Sequence, residues 1–249
     1  MPLHPLAAGF AAVADAYERG RSDFPPAVAG AIAAELGLRP GARVLDLAAG
    51  TGKLTRALVG VGLDVTAVEP LRELRGILAG VVGPERVVEG VAEDIPLDAA
   101  SVDAVTVANA FHWFDQPAAL GEIGRVLRPG GGLALVATLP DWRGASWAHE
   151  LGALIGSLRP AHPGFDEPPW QELVRDTPGW RATREIRVSA AEPAEVERVV
   201  DYVASISWVA GLPDEERAAM LGRAREIVDA GDTPDELHAT FVIGLTGLG

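Results

Sequence analysis

Residues 44–55, Val-Leu-Asp-Leu-Ala-Ala-Gly-Thr-Gly-Lys-Leu-Thr, place an acidic side chain, Asp46, inside an apolar run that opens into a turn of small residues. Val44 to Leu47 reads as a buried strand. Ala48, Gly50 and Gly52 let the backbone approach a ligand closely, where larger side chains collide. The ligand then sits beyond the C-terminal end of the strand, facing amide N–H groups at the start of the next helix. A second acidic residue, Glu69, closes the next apolar stretch, which begins at Val65. A carboxylate at that position accepts both ribose hydroxyls of an adenosine, so the two motifs together describe a nucleoside site.

Three ligands of this kind compete. A phosphate-cradling loop needs Gly-x-x-x-x-Gly-Lys-Ser/Thr. Gly52-Lys53 suggests it, but Leu47 stands where the first glycine belongs and Leu54 follows the lysine. A dinucleotide fingerprint needs a third glycine, and Gly50-x-Gly52 runs on to Ala57 without one at that spacing. S-adenosylmethionine (SAM) carries an adenosine without a phosphate. Its ammonium and sulfonium suit Asp46 before the turn, so SAM is the reading favoured over a nicotinamide cofactor.

The 249 residues are 48% hydrophobic, enough for one large domain with a sizeable core. No apolar stretch is long enough to span a membrane, and Met1-Pro-Leu-His-Pro lacks the basic-then-apolar pattern of a secretory signal. The absence of cysteine rules out disulfides, thiolate catalysis and cysteine-based zinc sites. It fits a cytoplasmic protein. A formal charge of −14 repels phosphate backbones, and Lys53 is the only lysine. A nucleic-acid partner is therefore excluded and a small-molecule substrate favoured. His149, His162 and His238 are dispersed without ligand spacing, so no metal is expected.

Strands and helices must alternate to position these motifs. Helices are expected over 7–18 and 26–36, then strand 42–47, helix 52–60, strand 63–69, helix 71–79 and strand 85–91. A strand at 102–109, a helix at 117–127, a stop at Arg128-Pro-Gly-Gly-Gly132 and a strand at 133–139 follow. After Pro140 the pattern changes. Four tryptophans (Trp142, Trp147, Trp170, Trp180), a helix at 146–158, a strand at 181–190, helices at 194–209 and 213–229, and an apolar run at 237–246 are read there. The fold expected is α/β, with a doubly wound, mostly parallel sheet whose last strands form an antiparallel hairpin. Residues 1–40 form a helical cap, 41–140 a nucleoside-binding core, and 141–249 a helical lid with the final strands.

In their order and spacing over 42–139, four stretches resemble the class I SAM-dependent methyltransferases, whose sheet is Rossmann-like and seven-stranded, and within them the small-molecule, trans-aconitate-type group. The four are Asp46 to Gly52, Val68-Glu-Pro70, Gly90 to Glu93 with Ile95-Pro96, and Asn109-Ala-Phe-His-Trp-Phe-Asp115. Leu127 to Gly131 adds a weaker match, and Tyr17 to Pro25 is similar to the family's opening Tyr…Arg-Pro-x-Tyr-Pro segment. The resemblance implies that Gly50 and Gly52 let the backbone approach the methionine part of SAM, with Ala48 beside them, and that Asp46 organises that turn and counts among the cofactor contacts. It implies that Glu69 binds the ribose, that Leu71 or Leu74 packs near the adenine with Pro70 also at the cofactor, and that Ala92 and Glu93 meet the adenine edge. Asn109 and Ala110 are implied to turn carbonyls toward the methyl donor. Ala48 departs from the family's frequent glycine, Val91 from its frequent aspartate, and Ser22 and Phe24 from its proline and tyrosine.

Methyl transfer from a sulfonium is an in-line displacement, in which the protein aligns the two partners and excludes water. His112, just after the fourth strand, is the candidate base for an acceptor that needs one. Phe111, Trp113 and Trp147 are expected to wall the acceptor, and aromatic faces also attract a sulfonium. Tyr17 and Arg21 are expected to close over the site, with Arg21 paired to a carboxylate of SAM or of an acidic substrate. The rival reading is a protein that binds SAM without turning it over.

Overall fold

A computed structural model describes residues 3–160, 169–181 and 183–249. His162 lies outside them. The chain begins with α1 (Pro5–Ala8) and α2 (Ala14–Gly20), joined by a 3-10 turn at Gly9–Val13. The helix expected over 7–18 is therefore broken. Gly9 disfavours helix by about 1 kcal/mol relative to alanine, and the turn brings Phe10 to the wall of an internal cavity. Next come α3 (Pro26–Glu35), β1 (Arg43–Leu47), α4 (Lys53–Gly60), β2 (Asp64–Val68) and α5 (Arg72–Val82). A proline opens α3, where the missing N–H costs nothing.

The strand expected over 85–91 shrinks to β3 (Val87–Val88), because Pro84 starts a 3-10 turn that uses residues 84–86. β4 (Val102–Ala108) leads to α6 (Gln116–Val126), whose N-cap Asp115 accepts the Ala118 N–H at 3.3 Å. The helix ends at Val126, just ahead of the stop read at 128–132, but β5 (Leu127–Asp141) already takes in that stretch and does not wait for 133. Val102 pairs with Leu127 but Ala104 with Gly132, so the intervening residues bulge out of the ladder. Pro129 has no N–H to give the neighbouring strand, which makes a bulge the compatible geometry.

Then follow α7 (Ala148–Ser157), α8 (Trp170–Asp176), β6 (Arg184–Pro193), α9 (Val196–Ala204), α10 (Ser207–Ala210), α11 (Asp214–Ala230) and β7 (Glu236–Gly247). The helix expected over 194–209 is interrupted at Ser205, whose hydroxyl donates to Tyr202 O at 2.7 Å in competition with the helical backbone. The strands form one seven-stranded sheet in the order β3-β2-β1-β4-β5-β7-β6. β1 to β5 are parallel, and β7 runs antiparallel between β5 and β6. This is the Rossmann-like, mostly parallel architecture expected, with the antiparallel hairpin at its end.

The two faces of β1 are covered by different helices. Leu45 and Leu47 meet Ile123 of α6 in one apolar cluster, while Val44 meets Ile32 of α3 and Leu58 of α4 in another. That period of two turns Asp46 to the α4 face. A third cluster, with Leu151, Val203 and Val228 at its centre, unites α7, α9, α10 and α11. No described helix is long and apolar enough to cross a membrane.

The opening segment is fastened to both sides of the molecule. Asp23 accepts from Lys53 and Arg56 of α4, each at 2.9 Å, and Arg56 also reaches Glu18 at 2.8 Å. On the other side α2 crosses α9 at Gly20. A Cβ there would run into Tyr202 N and Asp201 C, both backbone atoms. Arg19 grips Asp201 through two bonds of 2.7 and 3.0 Å beside this crossing. Gly20→Ala is accordingly expected to cost about 1–3 kcal/mol, read as a lower denaturant midpoint with unchanged slope. An unchanged midpoint would show that the crossing opens without penalty.

Candidate active site

β1, β2 and β4 end on a cavity of about 780 Å³ at the C-terminal edge of the sheet, where open α/β folds place their ligands. Its wall takes Ala48 and Gly50 from the turn after β1, and Glu69, Pro70 and Leu74 from the stretch after β2. Ala92 and Glu93 come from the loop after β3, and Asn109, Ala110, His112 and Trp113 from the end of β4. Tyr17 and Arg21 reach it from the opening segment. Most of the residues singled out in the sequence thus share one wall.

Glu69 holds that wall together. One carboxylate oxygen accepts the Gly50 N–H and the other the Leu71 N–H, both at 2.9 Å. The side chain is buried, 3% exposed, yet borders the cavity. Burial pushes its carboxyl up to about 7, against the two N–H groups and Arg75, which pull it down. A Cβ at Gly50 would meet nothing nearer than Tyr17 Cε1 at 4.0 Å, so the turn presents bare backbone to open space.

Asp46 sits one layer behind. Its two carboxyl oxygens accept from Thr55 Oγ1 at 2.6 Å and Thr106 Oγ1 at 2.9 Å. Thr106 is its direct partner across the β1–β4 ladder, and Thr55 lies in the first turn of α4. Burial raises this carboxyl to about 6 despite both hydroxyls. Asp46 does not border the cavity. It is a positioning residue that ties the glycine turn to β4, which corrects the expectation that it lies against the ligand.

Gly52 also moves to a supporting role. Its φ is +89°, and a Cβ would fall 2.7 Å from Leu78 Cδ1, so glycine is needed there for packing against α5. Ala48 takes a φ of +54° with a Cβ present, a strain of about 1–2 kcal/mol that a glycine would avoid.

At the end of β4, Asn109 has a φ of +53°. Its side chain locks that turn by accepting from Thr138 N at 2.8 Å and donating to Thr138 Oγ1 at 3.1 Å. The Ala110 carbonyl accepts the Trp113 N–H at 2.9 Å, which closes a 3-10 turn over Phe111–Trp113. Glu93 accepts the Asp115 N–H at 2.8 Å and so joins the two loops. His112 borders the cavity with its ring 4.5 Å from that of Trp113.

Two expected wall residues are core instead. Phe111 is buried among Leu47, Leu120 and Leu135. Trp147 is 2% exposed within the helical cluster, and its indole N–H donates to Thr233 Oγ1 at 2.8 Å. Its neighbour in space, Trp142, faces the cavity in its place, together with Phe10, Tyr202 and Trp208. Trp142 belonged to a visible Trp- and Pro-rich tract, but nothing local marks which tryptophan turns inward. Among the described residues no group of His, Asp and Glu forms a metal site.

Both buried carboxyls hold a proton more tightly folded than unfolded. The stability they confer is full below their unfolded pKa values and is lost as pH rises through about 6 and about 7. Relative to wild type, Glu69→Gln should therefore gain stability between about pH 5 and pH 8, by at most about 3 kcal/mol. Urea midpoints at the two pH values check this, and a pH-independent difference contradicts it.

A sequence profile described as a methyltransferase domain matches residues 45–135. An uncharacterised methyltransferase of Mycobacterium tuberculosis is 39% identical over 90% of this chain and 86% of its own length. A structure described as a type II methyltransferase from Anaeromyxobacter dehalogenans superposes with a TM-score of 0.64 at 24% identity, covering 92% of this chain and 97% of that one. Phosphoethanolamine N-methyltransferase 2 of Haemonchus contortus, solved with phosphomonomethylethanolamine and S-adenosylhomocysteine, shares the fold at a TM-score of 0.54 and 16% identity. It covers 94% of this chain and 56% of that one. The extent and identity of the first relative, together with the sheet order, make this chain a member of the class I SAM-dependent methyltransferase family.

Proposed function

We propose that this protein transfers a methyl group from SAM to a small-molecule acceptor at oxygen, nitrogen or carbon. One observation carries the reading: a buried carboxyl, Glu69, borders a roomy cavity directly beside the bare backbone of Gly50. Each oxygen of Glu69 accepts one N–H and keeps a lone pair for a ribose hydroxyl. Pro70 and Leu74 offer an apolar surface to the adenine, with Ala92 and Glu93 at its edge. Held by these residues, SAM would supply an electrophilic methyl group to the acceptor's nucleophilic atom, with S-adenosylhomocysteine as the leaving group.

The chain's own groups align, shield and deprotonate. Asn109, pinned to Thr138, holds the end of β4 rigid where the acceptor approaches. Tyr17, from the opening segment, roofs the turn near Gly50, and burial holds its phenol neutral by raising its pKa. His112 is the wall residue suited to take a proton from an acceptor hydroxyl or amine.

Calorimetric titration with S-adenosylhomocysteine, with NADH in parallel, is the direct test. Saturable binding of the first alone supports the reading, and binding of NADH alone overturns it. Cofactor binding without turnover over a broad acceptor panel would leave a silent binder. Glu69→Ala is expected to weaken S-adenosylhomocysteine by about 1–3 kcal/mol through lost charge-assisted hydrogen bonds; an unchanged Kd in the folded variant removes Glu69 from the site. His112→Ala should lower kcat with little change in cofactor Kd, and a pH–rate profile identical to wild type removes the base.

A further inference from the structure

Arg75, near the start of α5, does not border the cavity, yet it is bonded to the stretch that carries Glu69. β2 and β3 share two ladder pairs, the second of them Val68 with Val88. The Glu69 N–H still reaches Val88 O at 3.1 Å, but Pro70 has no N–H to continue the ladder. The carbonyls of Glu69 and Pro70 therefore lie past it. Arg75 Nη1 donates to both, at 3.0 Å to Glu69 O. Its Nη2 reaches Glu89 Oε2, in the loop after β3, at 2.6 Å.

The Pro70 carbonyl and the Leu71 N–H are the two ends of one planar peptide unit. Arg75 holds the first end, and Glu69 Oε1 accepts from the second at 2.9 Å. A rotation of this unit that frees the carbonyl also turns the N–H away from the carboxylate. Bonds in such a chain polarise and strengthen one another. The Arg75 side chain is 17% exposed and that of Glu89 74%, so their ion pair adds little by itself. The guanidinium charge also acts on Glu69 directly and pulls its carboxyl down. Asp46 of β1 and Tyr17 of α2 face the same carboxyl.

We propose, resting on the donor reading above, that Arg75 is a positioning residue of the cofactor site: by holding the Glu69 and Pro70 carbonyls it fixes where the Glu69 carboxylate meets a ribose. Each oxygen of Glu69 has one N–H partner and must aim its remaining lone pair at a hydroxyl. That direction has to be set before the ligand arrives, and a site is only as precise as the residues behind it. Arginine suits the task because its planar fork serves two carbonyls and a carboxylate at once, where an ammonium is a single flexible point.

The test is calorimetric titration of the full chain with S-adenosylhomocysteine in wild type, Arg75→Gln, Glu69→Gln and the double variant. Arg75→Gln should weaken binding about tenfold, and hardly at all beside Glu69→Gln, a coupling usual within one hydrogen-bond network. Arg75→Lys should weaken it severalfold, again only where Glu69 is present, which keeps the test open if Arg75→Gln does not fold. The loss should persist at about pH 9, where Glu69 is ionised in wild type and variant alike.

Equal losses with and without Glu69 overturn the proposal and leave Arg75 as support for α5 alone. So does a folded Arg75→Gln or Arg75→Lys protein that binds as tightly as wild type. A loss that vanishes at high pH reduces Arg75 to a charge beside Glu69 and overturns its positioning role. Failure of the wild type to bind S-adenosylhomocysteine overturns the donor reading and the proposal together, whereas each of the other outcomes leaves the donor reading standing.

Discussion

Two backbone N–H groups, Gly50 and Leu71, point at one buried carboxyl, and the cavity takes its shape from that convergence. The turn after β1 and the stretch after β2 belong to neighbouring parallel strands that share only their ladder. Glu69 joins them beyond it. Its burial is unfavourable to charge, which the two N–H bonds offset only in part, and the carboxyl titrates near neutrality as a result. A group so placed is tolerated because both of its oxygens have partners.

Asp46 repeats the device one layer deeper with hydroxyls in place of amides. Thr55 and Thr106 bring α4 and β4 to the same side chain, so β1, α4 and β4 meet at this one carboxyl. The rest of the wall is held by side-chain clamps, Asn109 on Thr138 and the Arg21 guanidinium on Ser205. The glycine turn is thus fixed by short polar contacts, and the aromatic part of the wall by ring packing.

Much of this was legible locally. The apolar run at Val44–Leu47, the acidic end at Glu69 and the alternation of strands with helices all follow from side-chain periodicity, and they predicted the succession of β1 to β5 along the chain and the antiparallel pairing of the last two strands. What escaped depends on distant partners. Gly52 looks like a ligand contact until Leu78 is seen against it. Trp142 and Trp147 are five residues apart in one tract, and only the packing of α7 against α9 and α11 decides which of them faces the cavity. The break at Ser205 is likewise visible only once Arg21, 184 residues earlier, is beside it.

That separation bears on how the molecule is assembled. Arg19 finds Asp201 across 182 residues, so the opening segment reaches its seat on α9 only after four-fifths of the chain exists. Closing so long a loop is entropically costly and slow compared with forming the local β-α pairs. During synthesis the sheet's C-terminal edge, with its buried carboxyls and aromatic rings, would stand open until α9 emerges and gives the waiting α2 something to cross.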